Sequence, residues 1–133
     1  LGFLPTMPYI PLLYLRNCPF EFLLKKNAAK RILESQAKSQ QLITYVELSD
    51  HLNAMGFPSE PFSVGMNQLL EELGRESETN HGVILTAIVV RKEDRWPGDG
   101  LMRLAMSLKK FRRESDFETW WRAEVERVFL QYS

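Results

Sequence analysis

The residues best suited to chemistry stand together just after the most apolar stretch of the chain. Arg91, Lys92 and Arg95 carry positive charge, and Trp96 adds an aromatic ring beside them. Cations bind phosphates and an aromatic ring stacks on a base, so this group suits contact with a nucleic-acid strand. The same residues also fit a structural role, in which Trp96 caps the core and the charges form a solvated edge. The sequence leaves both interpretations open.

The charges of the chain cancel, but they are separated along the sequence. Among 133 residues, 17 are Lys or Arg and 17 are Asp or Glu. Residues 25–41 carry a net +4 and residues 83–113 carry +5, whereas residues 42–82 carry −6 and residues 114–133 carry −3. Either the positive blocks neutralise the acidic ones inside the fold, or they converge on one face that binds phosphates. The cations that would form this face with the 91–96 group are Lys25, Lys26, Lys30, Arg31, Lys109, Lys110, Arg112 and Arg113.

Catalytic and metal-binding groups are sparse. His51 and His81 are the two histidines, and neither has further ligands at metal-site spacing. A nuclease that used them as an acid–base pair would need the fold to bring them together. The lone thiol, Cys18, has no neighbouring base to activate it. We therefore expect no catalytic residue, no metal and no cofactor.

The first 24 residues are apolar but do not suit a membrane span. Pro5, Pro8 and Pro11 interrupt any helix, and Arg16 follows them. We expect residues 1–24 to form an extended, proline-punctuated arm that packs on the domain. Because a secreted domain of this size usually carries several cysteines, we expect a soluble cytoplasmic protein.

Residues 25–133 are predicted to form a single, mostly helical α+β domain. Helices are expected over residues 25–41, from Thr44 with a capping box to Glu47, and from Ser63 as an N-cap. The third helix should bury Val64, Met66, Leu69, Leu70 and Leu73.

Two stretches in the middle of the chain complete this half. The polar residues 74–82 are interpreted as a loop, and residues 83–90, VILTAIVV, as one strong strand buried on both faces. Its partner strand comes from the arm, from Leu42 and Ile43, or from residues after Asp94. Pro97 and Gly98 suit the centre of a type II turn.

The last part of the chain is helical with an aromatic face. Helical spacing returns over residues 101–111, and Ser115 with Glu118 predicts a capping box before a final helix over residues 116–132. Its apolar face consists of Phe117, Trp120, Trp121, Val125, Val128, Phe129 and Tyr132. These side chains complete the core, or Trp120, Trp121, Phe129 and Tyr132 contact another protein or a second copy.

The segments ITYVELSDHLN, SVGMNQLLEEL and GVILTAIVVRKEDRWPGDG cover about 55 of the 133 residues. Together they resemble the winged-helix half of alkylguanine DNA alkyltransferases and their alkyltransferase-like relatives. The resemblance implies a winged-helix-like core with a small sheet. It does not extend to alkyl transfer, because LTAI at residues 85–88 stands where that family has Pro-Cys-His-Arg. The overall pattern also resembles small bacterial proteins with no assigned activity.

The resemblance implies that the second of the two matching helices, SVGMNQLLEEL here, would enter the DNA groove. Here that helix offers Asn67 and Gln68, which can hydrogen-bond bases, but also Glu71 and Glu72, which repel phosphates. We expect a non-catalytic protein that binds nucleic acid, DNA before RNA, through the winged-helix-like module and the basic face. The alternative is a protein-interaction or homodimerisation module that uses the C-terminal aromatic helix, and a nuclease is the third hypothesis.

Overall fold

The computed structural model describes residues 19–133. In chain order they form helix α1 (Pro19–Lys38), strand β1 (Ile43–Thr44), helices α2 (Tyr45–Ala54) and α3 (Val64–His81), a 3₁₀ turn (Leu85–Ile88), strand β2 (Val89–Val90), and helices α4 (Asp99–Ser107) and α5 (Phe117–Tyr132). The expected class, a mostly helical α+β fold with a small sheet, is confirmed. None of the helices in this part of the chain is long and apolar enough to cross a membrane.

The first helix begins six residues earlier than predicted, at Pro19 rather than Lys25. Proline suits the first turn of a helix because its missing N–H would be unsatisfied there, and Glu21 favours the positive end of the helix dipole. Residues 19–24 therefore belong to α1 and not to an extended arm. The rest of the predicted arm lies outside the described residues. Helix α1 buries Ala28, Ala29, Leu33 and Ala37.

Local capping signals position α2 and α3 as expected. The Thr44 hydroxyl accepts a hydrogen bond from the Glu47 N–H at 3.0 Å, and the Glu47 carboxylate accepts from the Thr44 N–H at 2.9 Å. Ser63 caps α3 by accepting from the Met66 N–H at 3.1 Å. The predicted burial of Val64 is wrong, since its side chain is 74% exposed. Val64 is the first residue of α3, where the chain has not yet reached the core.

The prediction of a loop over residues 74–82 is wrong, because α3 continues to His81 and ends at Gly82 in the left-handed conformation (φ 74°). The polar side chains that suggested a loop have partners in the fold. The buried Ser77 hydroxyl donates to the Gly74 carbonyl and accepts from the Leu85 N–H at 2.8 Å. Glu76 and Glu78 each bind a lysine from another part of the chain.

The predicted strand over residues 83–90 is largely a 3₁₀ turn. All eight residues are buried as expected, but only Val89–Val90 pairs, in parallel with Ile43–Thr44. Side chains replace the missing sheet partners: Glu124 accepts from the Ile84 N–H at 2.8 Å, and the Trp121 indole donates to the Ala87 carbonyl at 2.8 Å. Because its polar groups are satisfied in this way, the segment crosses the core without a full sheet.

Three further predictions at the ends of elements need correction. Gly98 has φ −73° and caps α4, so Pro97 and Gly98 do not form a type II turn, which requires a positive φ at its third residue. Helix α4 ends at Ser107 rather than Phe111. The N-cap of α5 is Asp116, not Ser115; its carboxylate accepts from the Glu118 N–H at 3.1 Å.

Gly74 allows α3 and α4 to pack closely. A Cβ atom at this position would lie 2.5 Å from Leu104 Cδ2 and 3.0 Å from Thr86 Oγ1. This proximity explains a glycine in the interior of a helix, where it costs about 1 kcal/mol relative to alanine.

We predict that Gly74→Ala lowers the free energy of unfolding by about 1–3 kcal/mol, because overpacking outweighs the gain in helix propensity. Gly65→Ala is the matched control in the same helix, since its Cβ would meet only Ser63 Oγ at 3.9 Å. The control should be neutral or up to about 1 kcal/mol more stable. Urea denaturation measures both, and equal effects would contradict the packing argument.

Candidate functional site

The two positive blocks of the sequence meet the acids of α3 on different sides of that helix. Lys26 of α1 binds Glu76, whereas Lys110, after α4, binds Glu78. Residues two positions apart in an α-helix point about 200° away from each other. Lys26 and Lys110 therefore bind on opposite flanks of α3, and these two lysines do not share one exposed basic face.

On the α1 flank, Lys25 and Lys26 bind groups of the protein itself. The Lys26 side chain is only 11% exposed, and its Nζ lies 2.6 Å from Glu76 Oε2 and 3.4 Å from Glu72 Oε1. The hydrogen bond to Glu76 raises the pKa of Lys26 above its usual value. Lys25 Nζ donates to the Pro58 carbonyl at 2.9 Å, and burial lowers its pKa. Lys30 is half-buried and Arg31 exposed.

On the other flank, Lys110 points into the fold and holds three elements together. Its Nζ donates to Glu78 Oε1 at 2.6 Å, to Glu124 Oε2 at 2.8 Å and to the Gly82 carbonyl at 2.9 Å. Glu124 is fully buried, and the same Oε2 accepts from the Ile84 N–H. The alternative in which positive blocks neutralise acidic ones inside the fold thus describes Lys26 and Lys110.

The sequence does contain one signal for this buried pair, which is the position of Glu124 among the apolar residues of α5. Glu124 follows Trp121 by three residues and precedes Val128 by four, so it lies on the core face of α5. An acid in such a stripe requires a buried cation or N–H donors. Nothing local in the sequence identified Lys110 as that cation.

Trp96, in the turn over residues 91–96, has the structural role that was one of its two interpretations. Its ring lies 5.3 Å from the Trp121 ring and 6.3 Å from the Phe117 ring, between centroids, so it caps the core. Arg91 pairs with Asp94 at 3.0 Å, and this hydrogen bond lowers the pKa of Asp94. Lys92 and Arg95 remain exposed.

Five exposed cations, which we call the basic rim, lie in the two chain segments that this aromatic cluster joins, before and after α4. Phe111 packs on Phe117 at 5.2 Å between centroids, as Trp96 does from the other side, so the chain segments before and after α4 meet at the start of α5. Across residues 19–133, no rim member has an ion pair or a side-chain hydrogen bond. The basic rim consists of Lys92, Arg95, Lys109, Arg112 and Arg113.

Two members of the basic rim have an uncommon backbone conformation. Arg95 has φ 58° and Lys109 has φ 60°. The left-handed region costs a residue with a Cβ about 1 kcal/mol or more, and glycine is the usual occupant. Lys109 follows the end of α4, where the Lys110 N–H bonds to the Ala105 carbonyl at 2.9 Å. Cations thus stand where the backbone alone favours glycine.

The aromatic residues of α5 pack inward. Trp121 is buried, and Trp120, Phe129 and Tyr132 are half-buried against the core. The exposed large apolar residue of α5 is Leu130. A protein contact through the predicted aromatic face stays a prediction, and these rings have a structural role without it.

The arrangement gives a nuclease no support. Residues 19–133 contain no group of three or more His, Cys, Asp or Glu side chains that could hold a metal ion. His81 contacts Tyr132 at 5.7 Å between ring centroids, and nowhere in the described chain does a hydrogen bond or ring contact join it to His51. Cys18 lies outside the described residues.

No family model, curated protein or solved structure matches the chain, so the resemblance to alkyltransferases remains an expectation.

We predict that Lys110→Met lowers the free energy of unfolding by about 3–4 kcal/mol, because it leaves the buried Glu124 carboxylate without its lysine. Lys109→Met, one residue away but exposed, is the control and should change stability by less than about 0.5 kcal/mol. Chemical denaturation of both variants checks this. A Lys110 variant as stable as the Lys109 variant would contradict the role of the pair.

Proposed function

We propose that the protein binds the phosphate backbone of nucleic acid through the basic rim, without catalysis. The observation that carries the proposal is that the five cations of the basic rim, in the two chain segments next to one aromatic cluster, are exposed and have no ion pair or side-chain hydrogen bond in residues 19–133. Each phosphate that such a cation neutralises releases counterions, and this release drives non-specific binding. Lys25, Lys26, Lys30, Arg31 and Lys110, all predicted for the same surface, are not part of the proposed interface.

The conformation of the chain after α4 supports this assignment. Lys110 turns inward to Glu124 and Phe111 turns into the aromatic cluster, so both anchor the segment. Lys109 comes just before these two anchors and Arg112 and Arg113 just after them, and all three are exposed. A segment fixed at two points presents its cations with little loss of entropy on binding, which favours affinity.

The proposed binding is largely independent of sequence. Asn67 and Gln68 on α3 are exposed, as a reading helix would require, but so are Glu71 and Glu72 beside them. Carboxylates at the mouth of a groove repel phosphates, so α3 does not suit the major groove in the manner of a winged helix. We infer duplex DNA as the first ligand to test and a cytoplasmic location for the protein.

The first experiment measures affinity for a generic duplex by fluorescence anisotropy from about 50 to 200 mM salt. We expect a micromolar dissociation constant at low salt and a steep loss of affinity as salt rises. In Arg112→Gln/Arg113→Gln the salt slope should fall by about 2, one unit for each lost phosphate contact.

The matched control is Lys30→Gln/Arg31→Gln, which removes the same charge from the opposite flank of α3. It should bind like the unmodified protein. Absence of binding at 50 mM salt, or equal weakening by the two double variants, would refute the proposed interface. Single-stranded DNA and RNA of the same length serve as parallel ligands.

Lys109→Gly separates stability from binding. Glycine adopts the left-handed conformation without the cost that a Cβ atom adds, so we expect the free energy of unfolding to rise by about 0.5–1 kcal/mol. The same change removes a rim cation, so affinity for DNA should fall. Lys109→Gln controls for the charge alone: it should weaken binding equally without the gain in stability. A Lys109→Gly variant that binds as tightly as the unmodified protein would exclude Lys109 from the interface.

A further inference from the structure

A second feature of the molecule is a cavity of about 310 Å³ between α3 and α4. It lies on the side of α3 that carries Glu71 and Arg75, away from Lys26. Its apolar wall consists of Leu70, Leu101 and Leu104. The volume is at the lower end of the range for small-molecule sites, which are mostly apolar with a few polar groups.

One polar group in the wall of this cavity is a hydroxyl that has no hydrogen-bond partner in residues 19–133. Thr86 is only 6% exposed, and its side chain makes no hydrogen bond within the described chain. Its Oγ1 faces the α3–α4 contact, where a Cβ atom built at Gly74 would lie 3.0 Å from it. An unpaired hydroxyl that faces a cavity can hydrogen-bond water or a polar atom of an occupant.

The mouth of the cavity carries a net positive charge. Arg75 is neutralised by Glu71, with Nε and Nη2 both 3.1 Å from Glu71 Oε2, and it also binds Ser107 Oγ at 3.1 Å. Arg103 lines the same cavity, is exposed, and has no ion pair or side-chain hydrogen bond in residues 19–133. The unpaired guanidinium of Arg103 favours an anionic ligand, because its planar set of N–H donors matches the two oxygens of a carboxylate.

We propose that this cavity binds a small organic anion with a carboxylate on an apolar body. Arg103 receives the carboxylate, the three leucines contact the apolar part, and Thr86 hydrogen-bonds a polar atom of the ligand. The site is separate from the basic rim and does not depend on nucleic-acid binding. None of its residues was singled out from the sequence as a small-molecule site, since Thr86 lay in a predicted strand.

The test uses benzoate as the probe and the whole protein labelled with ¹⁵N. Titration to about 10 mM should shift amide signals of α3, α4 and the 3₁₀ turn, with a dissociation constant on the order of millimolar or tighter. Benzyl alcohol, which keeps the ring and lacks the charge, should bind at least about tenfold more weakly.

Two substitutions locate the site. Arg103→Gln should weaken benzoate binding about tenfold, and the isosteric Thr86→Val about threefold. Arg122→Gln is the control, because Arg122 is an exposed arginine on α5 that pairs with Glu118. It should leave the affinity unchanged. Thermal denaturation verifies that each variant is folded.

Several outcomes would overturn the proposal. These are no shift up to about 10 mM benzoate, equal binding of benzyl alcohol, or equal weakening by the Arg103 and Arg122 variants. Phenyl phosphate in a parallel titration distinguishes the carboxylate from anions in general; tighter binding of the phosphate than of benzoate would contradict the carboxylate assignment. DNA affinity is measured separately, so failure here does not affect the basic rim.

Discussion

The contact between Lys110 and the buried carboxylate of Glu124 joins the chain after α4 to the core, and the central segment and the end of α3 depend on the same two residues. Lys110 also donates to Glu78 and to the Gly82 carbonyl, so it holds the chain after α4 against both the end of α3 and the middle of α5. Glu124 also accepts from the Ile84 N–H, so it replaces part of a sheet that the central segment does not form. Burial of a charge is costly unless partners offset it. Here Lys110 and the Ile84 N–H both bind Oε2, and Arg127 Nη2 lies 3.3 Å from Oε1, which has no hydrogen bond in the described chain.

The sequence predicted those elements whose signals are local. Thr44 with Glu47 and Ser63 are capping signals that require only neighbours in the chain, and both were confirmed. Residues 83–90 were predicted as a strand because apolar, β-branched residues fit one. Their actual partners, Ser77 and Glu124, are distant side chains that no local pattern reveals.

The error over residues 74–82 had a direct consequence for the candidate site. In a loop, Glu76 and Glu78 would have no fixed direction, and a single basic face over them was a reasonable hypothesis. In a helix they point to opposite flanks, and each draws one lysine away from solvent. The separation of Lys26 from Lys110 therefore follows from helix geometry, and it can be predicted only once residues 74–81 are known to be helical.

The central claim is that Lys26 and Lys110 are held in ion pairs inside the fold while the basic rim is exposed, and that nucleic acid binds to the rim. The most direct measurement is the map of ¹⁵N amide shifts during titration with a short DNA duplex. The account predicts shifts at residues 92–95 and 109–113, with residues 25–31 unchanged. Shifts centred on residues 25–31 or on the exposed face of α3, or none at low salt, would contradict it.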